Sequence, residues 1–438
     1  MKTASILSDI AGLLTALAVS AAPAAAEPWT LPRVLDAVRT ADPAVRAARA
    51  MGDAGRAQGA AAWGGLSPQL RLAASAVRGD DPALLFSEKL WQGRFSAADF
   101  DLGALNHPPA ATAYQYGLVL EQPIFNGAAE VTAPALAGHL RRAAAGGEDA
   151  AVSGLLLRAA ETYAGALRAQ RALEADSLAL AAAAEQRTAA VARFRTGQVP
   201  ELDTLLAAAR LAGARAAWLG RRAESDVALE RLSGLVGARV LAGELAGPAE
   251  ESAPIPAGAA GERGEVRAAR ERAAALGLES RRAGLRLLPA VNSRVTLNWY
   301  RDAGQGPAER RWMASVALDF PVWDGARRLH EWRAAQAQAR QAQADAEALA
   351  RDLEVNAAGA RAELEVAPER LAAARLGRAA GEEALRFAQD RYRAGLLPLG
   401  ELLAADAQAA RARQEEVEAS VQVVLARCRY LYAIGELR

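Results

Sequence analysis

The chain has 438 residues, of which 52 are basic and 51 acidic, and its formal net charge of +1 excludes the strong positive field of a nucleic-acid-binding protein. It has a single cysteine, Cys428, which excludes an intrachain disulfide. Hydrophobic residues make up 52% of the sequence, and alanine carries much of that share. A composition rich in Ala, Arg and Glu with helical periodicity predicts long helices that pack closely.

The N-terminus has the pattern of a secretory signal peptide. Lys2 is followed by the apolar run "IAGLLTALAVSAA" and then by small residues at Ala24 and Ala26. We therefore predict a signal peptide over residues 1–26, with Glu27 as the first mature residue; a buried N-terminal helix is the alternative. No apolar stretch of 18 or more residues follows, so an exported protein without a membrane-spanning helix is expected.

Two β-hairpins are predicted, over residues 68–123 and 289–323. Their strands alternate between apolar and polar residues with a period of two, which is typical of half-buried strands. The apolar positions of the second hairpin are Val291, Val295, Leu297, Trp299, Trp312, Val316, Leu318 and Phe320, and those of the first are Leu70, Leu72, Tyr114, Tyr116, Leu118 and Leu120.

These strands suit either a membrane β-barrel or an ordinary soluble sheet. Four strands cannot close a barrel, because bacterial outer-membrane barrels begin at about eight strands. An open sheet edge is not tolerated within lipid. A membrane location therefore requires several chains to share one barrel, and three copies would provide twelve strands.

Each hairpin is followed by a long predicted helix and a shorter returning one. The long helices cover residues 128–196 and 326–394, the returning helices 201–235 and 400–432, and at ~1.5 Å per residue each long helix spans roughly 100 Å. Pro368 is expected to kink the second long helix. Residues spaced three and four apart, many of them alanine, form a seam in the second, at Ala335, Ala339, Ala342, Ala346, Leu349, Leu353, Ala357, Ala360, Leu364, Ala367 and Leu371, and in the first at Leu155, Ala159, Thr162, Ala166, Ala169 and Leu173. A soluble coiled coil fits these helices equally well.

The sequence contains an internal repeat, whose matching residues are separated by a constant offset. Gly197 and Gly395 are 198 residues apart, as are Pro200 and Pro398, and "LEQPIFNGA" from Leu120 matches "LDFPVWDGA" at the same separation. We therefore divide the mature chain into a first repeat at 27–236, a Pro/Gly/Ala-rich linker at 237–262 and a second repeat at 263–438.

Each long helix ends in a turn that the two copies share. Gly197 and Gly395 are expected at the left-handed position after a helix, and Pro200 and Pro398 at the start of the returning helix. "ARFRTGQVPELDTLLAA" and "DRYRAGLLPLGELLAA" are thus predicted to be helix–turn–helix tips.

The first hairpin has a longer connecting loop than the second. Pro68 and Pro123 are 55 residues apart whereas Pro289 and Pro321 are 32 apart, a difference of 23 residues. The loop is rich in Phe and Trp, and we expect it to fold over the mouth of a barrel and pack against its own strands.

The sequence has no pattern typical of an enzyme. His107, His139 and His330 are scattered without metal-ligand spacing, and there is no nucleophile elbow, phosphate loop or paired-cysteine motif. Neither a catalytic residue nor a cofactor nor a bound metal is expected.

Together, the tips, the strand ends and "TLPRVLDAVRTADPAVRAARA" resemble the TolC-like outer membrane efflux protein family, over nearly the whole mature chain. The resemblance implies an α+β membrane protein. In it, coiled-coil helical hairpins form a trimeric periplasmic α-barrel, and two β-hairpins per chain form a shared 12-stranded outer-membrane β-barrel. It further implies a passive channel of a tripartite efflux or type I secretion system, working with a periplasmic adaptor and an inner-membrane pump.

The resemblance also assigns roles to residues of the tips. Asp203, Tyr392 and Glu401 match positions of the pore constriction, while Leu397 stands where the family has an arginine. The adaptor-docking turns match Thr196, Gly197, Gln198, Ala394, Gly395 and Leu396. An alternative for Asp203 is an acidic residue that only stabilises the first turn of its helix. The alternative for the whole protein is a non-transporting periplasmic scaffold.

Overall fold

The computed structural model describes residues 28–64, 67–126, 128–246, 262–302 and 308–437. The predicted signal peptide and most of the predicted linker lie outside these residues. Within them, the α-helices are α1 (Leu31–Ala41), α2 (Pro43–Gly64), α3 (Pro82–Trp91), α4 (Leu102–Asn106), α5 (Ala129–Arg195), α6 (Glu201–Val236), α7 (Gly264–Leu285), α8 (Arg327–Arg393) and α9 (Leu399–Ala433).

The strands form one antiparallel sheet in the order β1-β2-β3-β4. They are β1 (Gln69–Gly79), β2 (Ala111–Phe125), β3 (Ala290–Asp302) and β4 (Glu309–Asp319). β2 and β3 pair across the two hairpins, from Ala113 opposite Asp302 to Phe125 opposite Val291, with a register shift between Pro123 and Phe125. The two predicted hairpins are therefore halves of one sheet, and β1 and β4 are its edges.

One face of this sheet is apolar, and we call it the apolar face. Leu72, Leu118, Leu297 and Trp312 form one row across the four strands, and Leu70, Leu120, Val295 and Ala314 form the next. The predicted alternation is thus confirmed, since the register brings the apolar positions together. In the single chain Leu72 is 72% exposed and Trp312 74%.

The opposite face, which we call the polar face, includes Arg71, Gln115, Gly117, Glu121, Arg294, Asn298, Tyr300, Glu309 and Arg311. Arg294 Nη2 lies 2.7 Å from Glu121 Oε1. Gly117 lies beneath the Asn298 side chain, since a Cβ at this position would lie 2.4 Å from Asn298 Oδ1 and would displace that amide.

The joints from sheet to helix repeat the sequence symmetry in their backbone. Ala128 and Ala326, 198 residues apart, have φ values of 52° and 63° and precede α5 and α8. A positive φ is uncommon for a residue other than glycine, so its occurrence at both joints supports a duplicated unit.

Among the described residues, no helix combines the length and the apolar character needed to cross a bilayer. Both long helices contain a proline, Pro134 in α5 and Pro368 in α8, and neither helix ends there.

The chain divides into two compact units, and each draws on both sequence repeats. Of the described residues, the first unit contains 28–46, 152–246 and 355–437, and the second contains 47–151 and 262–354. The first unit holds helical segments and both tips, and the second holds the sheet with α7 and α2.

The core of the first unit gathers α1, α5, α6 and α9. Val34 and Val38 of α1, Leu156 of α5 and Leu232 of α6 are all fully buried in it. Tyr163 also belongs to this core, and its hydroxyl donates to the carbonyl of Ala246 at 2.7 Å.

The seam predicted in α8 is confirmed. All eleven positions predicted between Ala335 and Leu371 are buried or half-buried, and every other residue of this stretch except Ala350 is exposed. The seam predicted in α5 is incomplete. Leu156, Ala160, Tyr163, Ala164 and Leu167 are also buried there, because α1, α6 and α9 cover this helix on more than one side.

Candidate functional site

The turns at the two tips have the same hydrogen-bond pattern. In the first, Gly197 N–H donates to Phe194 O and Gln198 N–H to Arg193 O, both at 2.9 Å. In the second, Gly395 N–H donates to Tyr392 O at 3.0 Å and Leu396 N–H to Arg391 O at 2.9 Å. These paired bonds define a Schellman motif, and the predicted left-handed glycines are confirmed by φ values of 71° and 75°.

The returning helices start at the two predicted prolines. Pro200 and Pro398 cap α6 and α9 in extended conformation. Asp203 N–H donates to Pro200 O at 3.1 Å and Glu401 N–H to Pro398 O at 3.2 Å. Both acidic residues therefore lie in a first helical turn, where the helix dipole favours a negative charge.

Arg193 of the first tip binds the end of α8 at the second tip. Its Nη1 donates to Tyr392 O and its Nη2 to Arg393 O, each at 2.8 Å. Its guanidinium also lies 4.8 Å from the centre of the Tyr392 ring. One arginine thus satisfies two helix-terminal carbonyls and stacks on the aromatic ring beside them.

Tyr392 is buried, with 7% of its surface exposed. Burial raises the pKa of its phenol above the ordinary value, the charge of Asp203 raises it further, and Arg193 opposes both effects. Within the described chain the hydroxyl has no hydrogen-bond partner of normal geometry. The neutral phenol is therefore a buried hydroxyl beside the Arg193 guanidinium.

An apolar cluster surrounds this contact and joins the two hairpins. Its buried members are Ala190, Ala207, Leu385, Ala388, Tyr392, Leu399, Leu402 and Ala409. Further along the returning helices, Arg210 of α6 binds Asp406 of α9, and Asp406 is only 2% exposed.

The structure brings only part of the predicted site together. Asp203 is half-buried and close enough to Tyr392 to act on its pKa, whereas Glu401 is exposed. The six predicted docking residues are all exposed: Thr196, Gly197, Gln198, Ala394, Gly395 and Leu396. Sequence reasoning missed Arg193 and the Arg210–Asp406 pair, although a basic residue in the last turn of α5 was a visible signal for the first.

A second candidate element is the loop between β1 and β2, in the unit that contains the sheet. It is folded into α3, a 3₁₀ turn at Ala97–Phe100 and α4. Asp81 caps α3 by accepting from Leu84 N–H at 3.0 Å. The Phe95 ring packs edge-on against Phe86 and Phe100, with ring centres 4.7 and 5.2 Å apart.

This loop packs against the polar face of its own sheet. The Trp91 ring lies 5.1 Å from Tyr300, and Arg311 Nε donates to Trp91 O at 3.1 Å. Tyr300 and Arg311 both belong to the polar face. The expectation that the loop packs on its own strands is thus confirmed, and the face it selects is the polar one.

Among the described residues, no group of three His, Cys, Asp or Glu side chains is arranged to hold a metal ion. The three histidines lie on separate elements, and His139 is engaged by Glu271 at 2.6 Å.

Comparison with known proteins identifies the family. The sequence model of the outer membrane efflux protein family matches residues 34–238 and 256–436. A search of curated protein sequences finds no match.

The fold is shared with several solved structures. A membrane protein from Pseudomonas aeruginosa is 22% identical with a TM-score of 0.79, and the match covers 92% of this chain and 93% of that one. The outer membrane protein VceC of Vibrio cholerae is 19% identical with a TM-score of 0.78, covering 92% and 96%. The Campylobacter jejuni CmeC outer membrane channel is 14% identical with a TM-score of 0.78, covering 93% and 85%.

These likenesses and the family match agree with the strands, long helices and repeated tips described above. The family match places the protein in the outer membrane, in a family of efflux channels rather than of enzymes. The chain belongs to the outer membrane efflux protein family.

Proposed function

We propose that three copies of this chain form one outer-membrane duct, through which substrates pass passively. An inner-membrane pump and a periplasmic adaptor deliver the substrates, in a tripartite efflux system or a type I secretion system. The observation that carries the proposal is the four-stranded sheet, with an exposed apolar face and two unpaired edges, β1 and β4.

The sheet supports closure between copies. All three strand pairs of the sheet are antiparallel, so β1 and β4 run in opposite directions. β4 of one copy can therefore pair antiparallel with β1 of the next. Twelve strands from three copies remove every edge, as a bilayer requires. The apolar face then contacts lipid and the polar face, with Glu121 and Arg294, lines the lumen.

The long helices supply the periplasmic part of the duct. α5 with α6 and α8 with α9 form two hairpins per chain, and their small-residue seam allows close packing between helices. Three copies contribute six hairpins and twelve helices to a tube. This part of the proposal needs no catalytic group, since conduction through an open duct is passive.

The tips are proposed as the constriction of the tube. Three copies of Asp203, with Glu401 in the first turn of the neighbouring helix, place rings of carboxylates at the narrow end, and such rings favour cations. Tyr392 joins this site through its buried hydroxyl and its electrostatic coupling to Asp203.

The exposed turns are proposed as the adaptor-docking surface. They present Thr196, Gly197 and Gln198 on one tip and Ala394, Gly395 and Leu396 on the other, and Leu396 is 67% exposed. Both tips of a chain have the same turn geometry, so three copies offer an adaptor six similar sites on one assembly.

The alternative is a periplasmic scaffold that transports nothing. The mass of the detergent-extracted complex from the outer-membrane fraction separates the two. The shared barrel predicts a mass near three mature chains that salt washing does not release. A monomer released by salt alone contradicts the duct, because a lone sheet would leave β1 and β4 unpaired in lipid.

A further inference from the structure

The residues that form the contact between Arg193 and the second tip have counterparts in the other repeat. Arg193, Phe194 and Arg195 are related by the 198-residue offset to Arg391, Tyr392 and Arg393. Within one chain, the first arginine of the first tip binds the carbonyls of the second and third residues of the second tip. Each tip therefore carries both halves of the same interaction, a donor and an acceptor.

Only one donor and one acceptor are used within the chain. Arg391 is exposed, and among the described residues its guanidinium makes no hydrogen bond or ion pair, with only the Phe387 ring near it at 5.8 Å. Phe194 O accepts only the N–H of Gly197, and no described side chain binds the carbonyl of Phe194 or Arg195. The second donor and the first acceptor are thus both unfilled.

The ring that corresponds to Tyr392 is also uncovered. Tyr392 is 7% exposed beneath Arg193, whereas Phe194 is 43% exposed. Two leucines at the start of α6, in the same tip, are exposed as well, with Leu202 and Leu205 each at 60%. An aromatic ring beside helix-terminal carbonyls that no described side chain binds is the same kind of surface that Arg193 covers on the other tip.

We propose that the first tip is covered by the second tip of another copy of this chain, whose Arg391 stacks on Phe194 and donates to the carbonyls of Phe194 and Arg195. A donor on one tip and an acceptor on the other make a head-to-tail contact, which closes into a ring when the copies are related by rotation. First and second tips then alternate around the ring, and every tip is held by one arginine. This inference rests on the proposed trimer and assigns the residues that join its copies at the narrow end.

Paired cysteines test the inference, with the contact inside the chain as the matched control. The variant Arg391→Cys with Arg195→Cys reports the proposed contact, and Arg193→Cys with Arg393→Cys reports the observed one. The native Cys428 does not interfere, because it is 3% exposed and burial raises its pKa to about 11. Both variants are purified as the full complex and treated with a short thiol-reactive crosslinker.

The expected result is different for the two pairs. The pair at 391 and 195 gives crosslinked dimers and trimers on a denaturing gel, while the pair at 193 and 393 keeps the mobility of one chain. Single-cysteine variants at 391 and at 195 give no such bands. A complex of three-chain native mass in which 193 and 393 react but 391 and 195 do not overturns this inference and leaves the trimer intact. A monomeric native mass overturns both.

A second measurement covers the case in which cysteines disturb the tip. Arg391→Ala removes the proposed contact and should raise single-channel conductance several-fold. The control is Arg386→Ala, an exposed residue five positions away whose side chain binds Glu383. Equal conductance in the two variants contradicts the proposed role of Arg391.

Discussion

The guanidinium of Arg210 binds one carboxylate oxygen of Asp406, through Nε at 3.1 Å and Nη2 at 2.5 Å. The pair links the two returning helices, α6 and α9. The Asp406 side chain is 3% exposed and that of Arg210 is 27% exposed. A charge so deeply buried requires a partner, and Arg210 supplies it from the neighbouring helix.

The substitution Arg210→Leu should destabilise the helical hairpins strongly. It leaves the Asp406 carboxylate buried without a partner, and breaking a buried pair in this way costs about 3–5 kcal/mol. Thermal unfolding followed by circular dichroism in detergent measures the loss. Arg386→Leu, which removes an exposed pair, should change the transition little. Similar shifts for both variants would show that the buried pair does not hold the hairpins together.

Arg193→Ala should open the narrow end of the duct. The substitution removes two hydrogen bonds to the end of α8 and the stack on Tyr392. Hydrogen bonds to a charged group contribute about 1.5–3 kcal/mol each in proteins. Single-channel recording should show a several-fold higher conductance, whereas Arg195→Ala, an exposed neighbour, should match the natural chain. A closed-channel conductance in Arg193→Ala would assign the contact to stability alone.

Asp203→Asn should reduce both cation preference and the pKa of Tyr392. The substitution removes three carboxylates from the proposed constriction and also removes the charge that raises the phenol pKa. The first effect is read from reversal potentials in a salt gradient. Unchanged conductance and selectivity would leave Asp203 with only its role in the first turn of α6.

The raised pKa of Tyr392 also predicts how the stability of the tip changes with pH. Because its pKa is raised in the folded chain, the stability from the neutral phenol is present below its ordinary value of about 10. That stability is lost as the pH rises through the folded value. Absorbance at alkaline pH, taken as the difference from Tyr392→Phe, should show Tyr392 titrating at lower pH in Asp203→Asn than in the natural chain.

Deleting residues 86–108 should raise the conductance of the outer end. Trp91 and its neighbours pack on the polar face, which lines the lumen of the proposed barrel. The loop therefore occupies space above or within the mouth. Trp91→Ala is the milder variant, and it should increase conductance less than the deletion. If the deletion leaves conductance unchanged in a complex of normal mass, the loop does not narrow the channel.

Local signals explain the features that the sequence predicts well. The tip glycines, the prolines and the alternating strands depend on residues within a few positions of one another, so their patterns can be recognised in the sequence. The seam of α8 can also be predicted from the sequence, because this helix is buried along one narrow side from Ala335 to Leu371.

Features that depend on distant segments could not be read in the same way. The wider burial of α5 around Leu156 and Tyr163 comes from α1, α6 and α9. Asp406 looks like any acidic residue of an exposed helix face until Arg210, 196 positions away, is placed beside it. The helices within the first loop were missed because five- and ten-residue helices carry too few turns to show a period.

The unpaired edges of the sheet also bear on inheritance. If β1 and β4 find partners only in other copies, no chain enters the membrane by itself, and one chain with a damaged edge disables every complex that includes it. A cell that expresses a normal and an edge-damaged gene together then loses working complexes faster than it loses normal chains. Such an allele is expected to be dominant, whereas an allele that yields no chain at all is expected to be recessive.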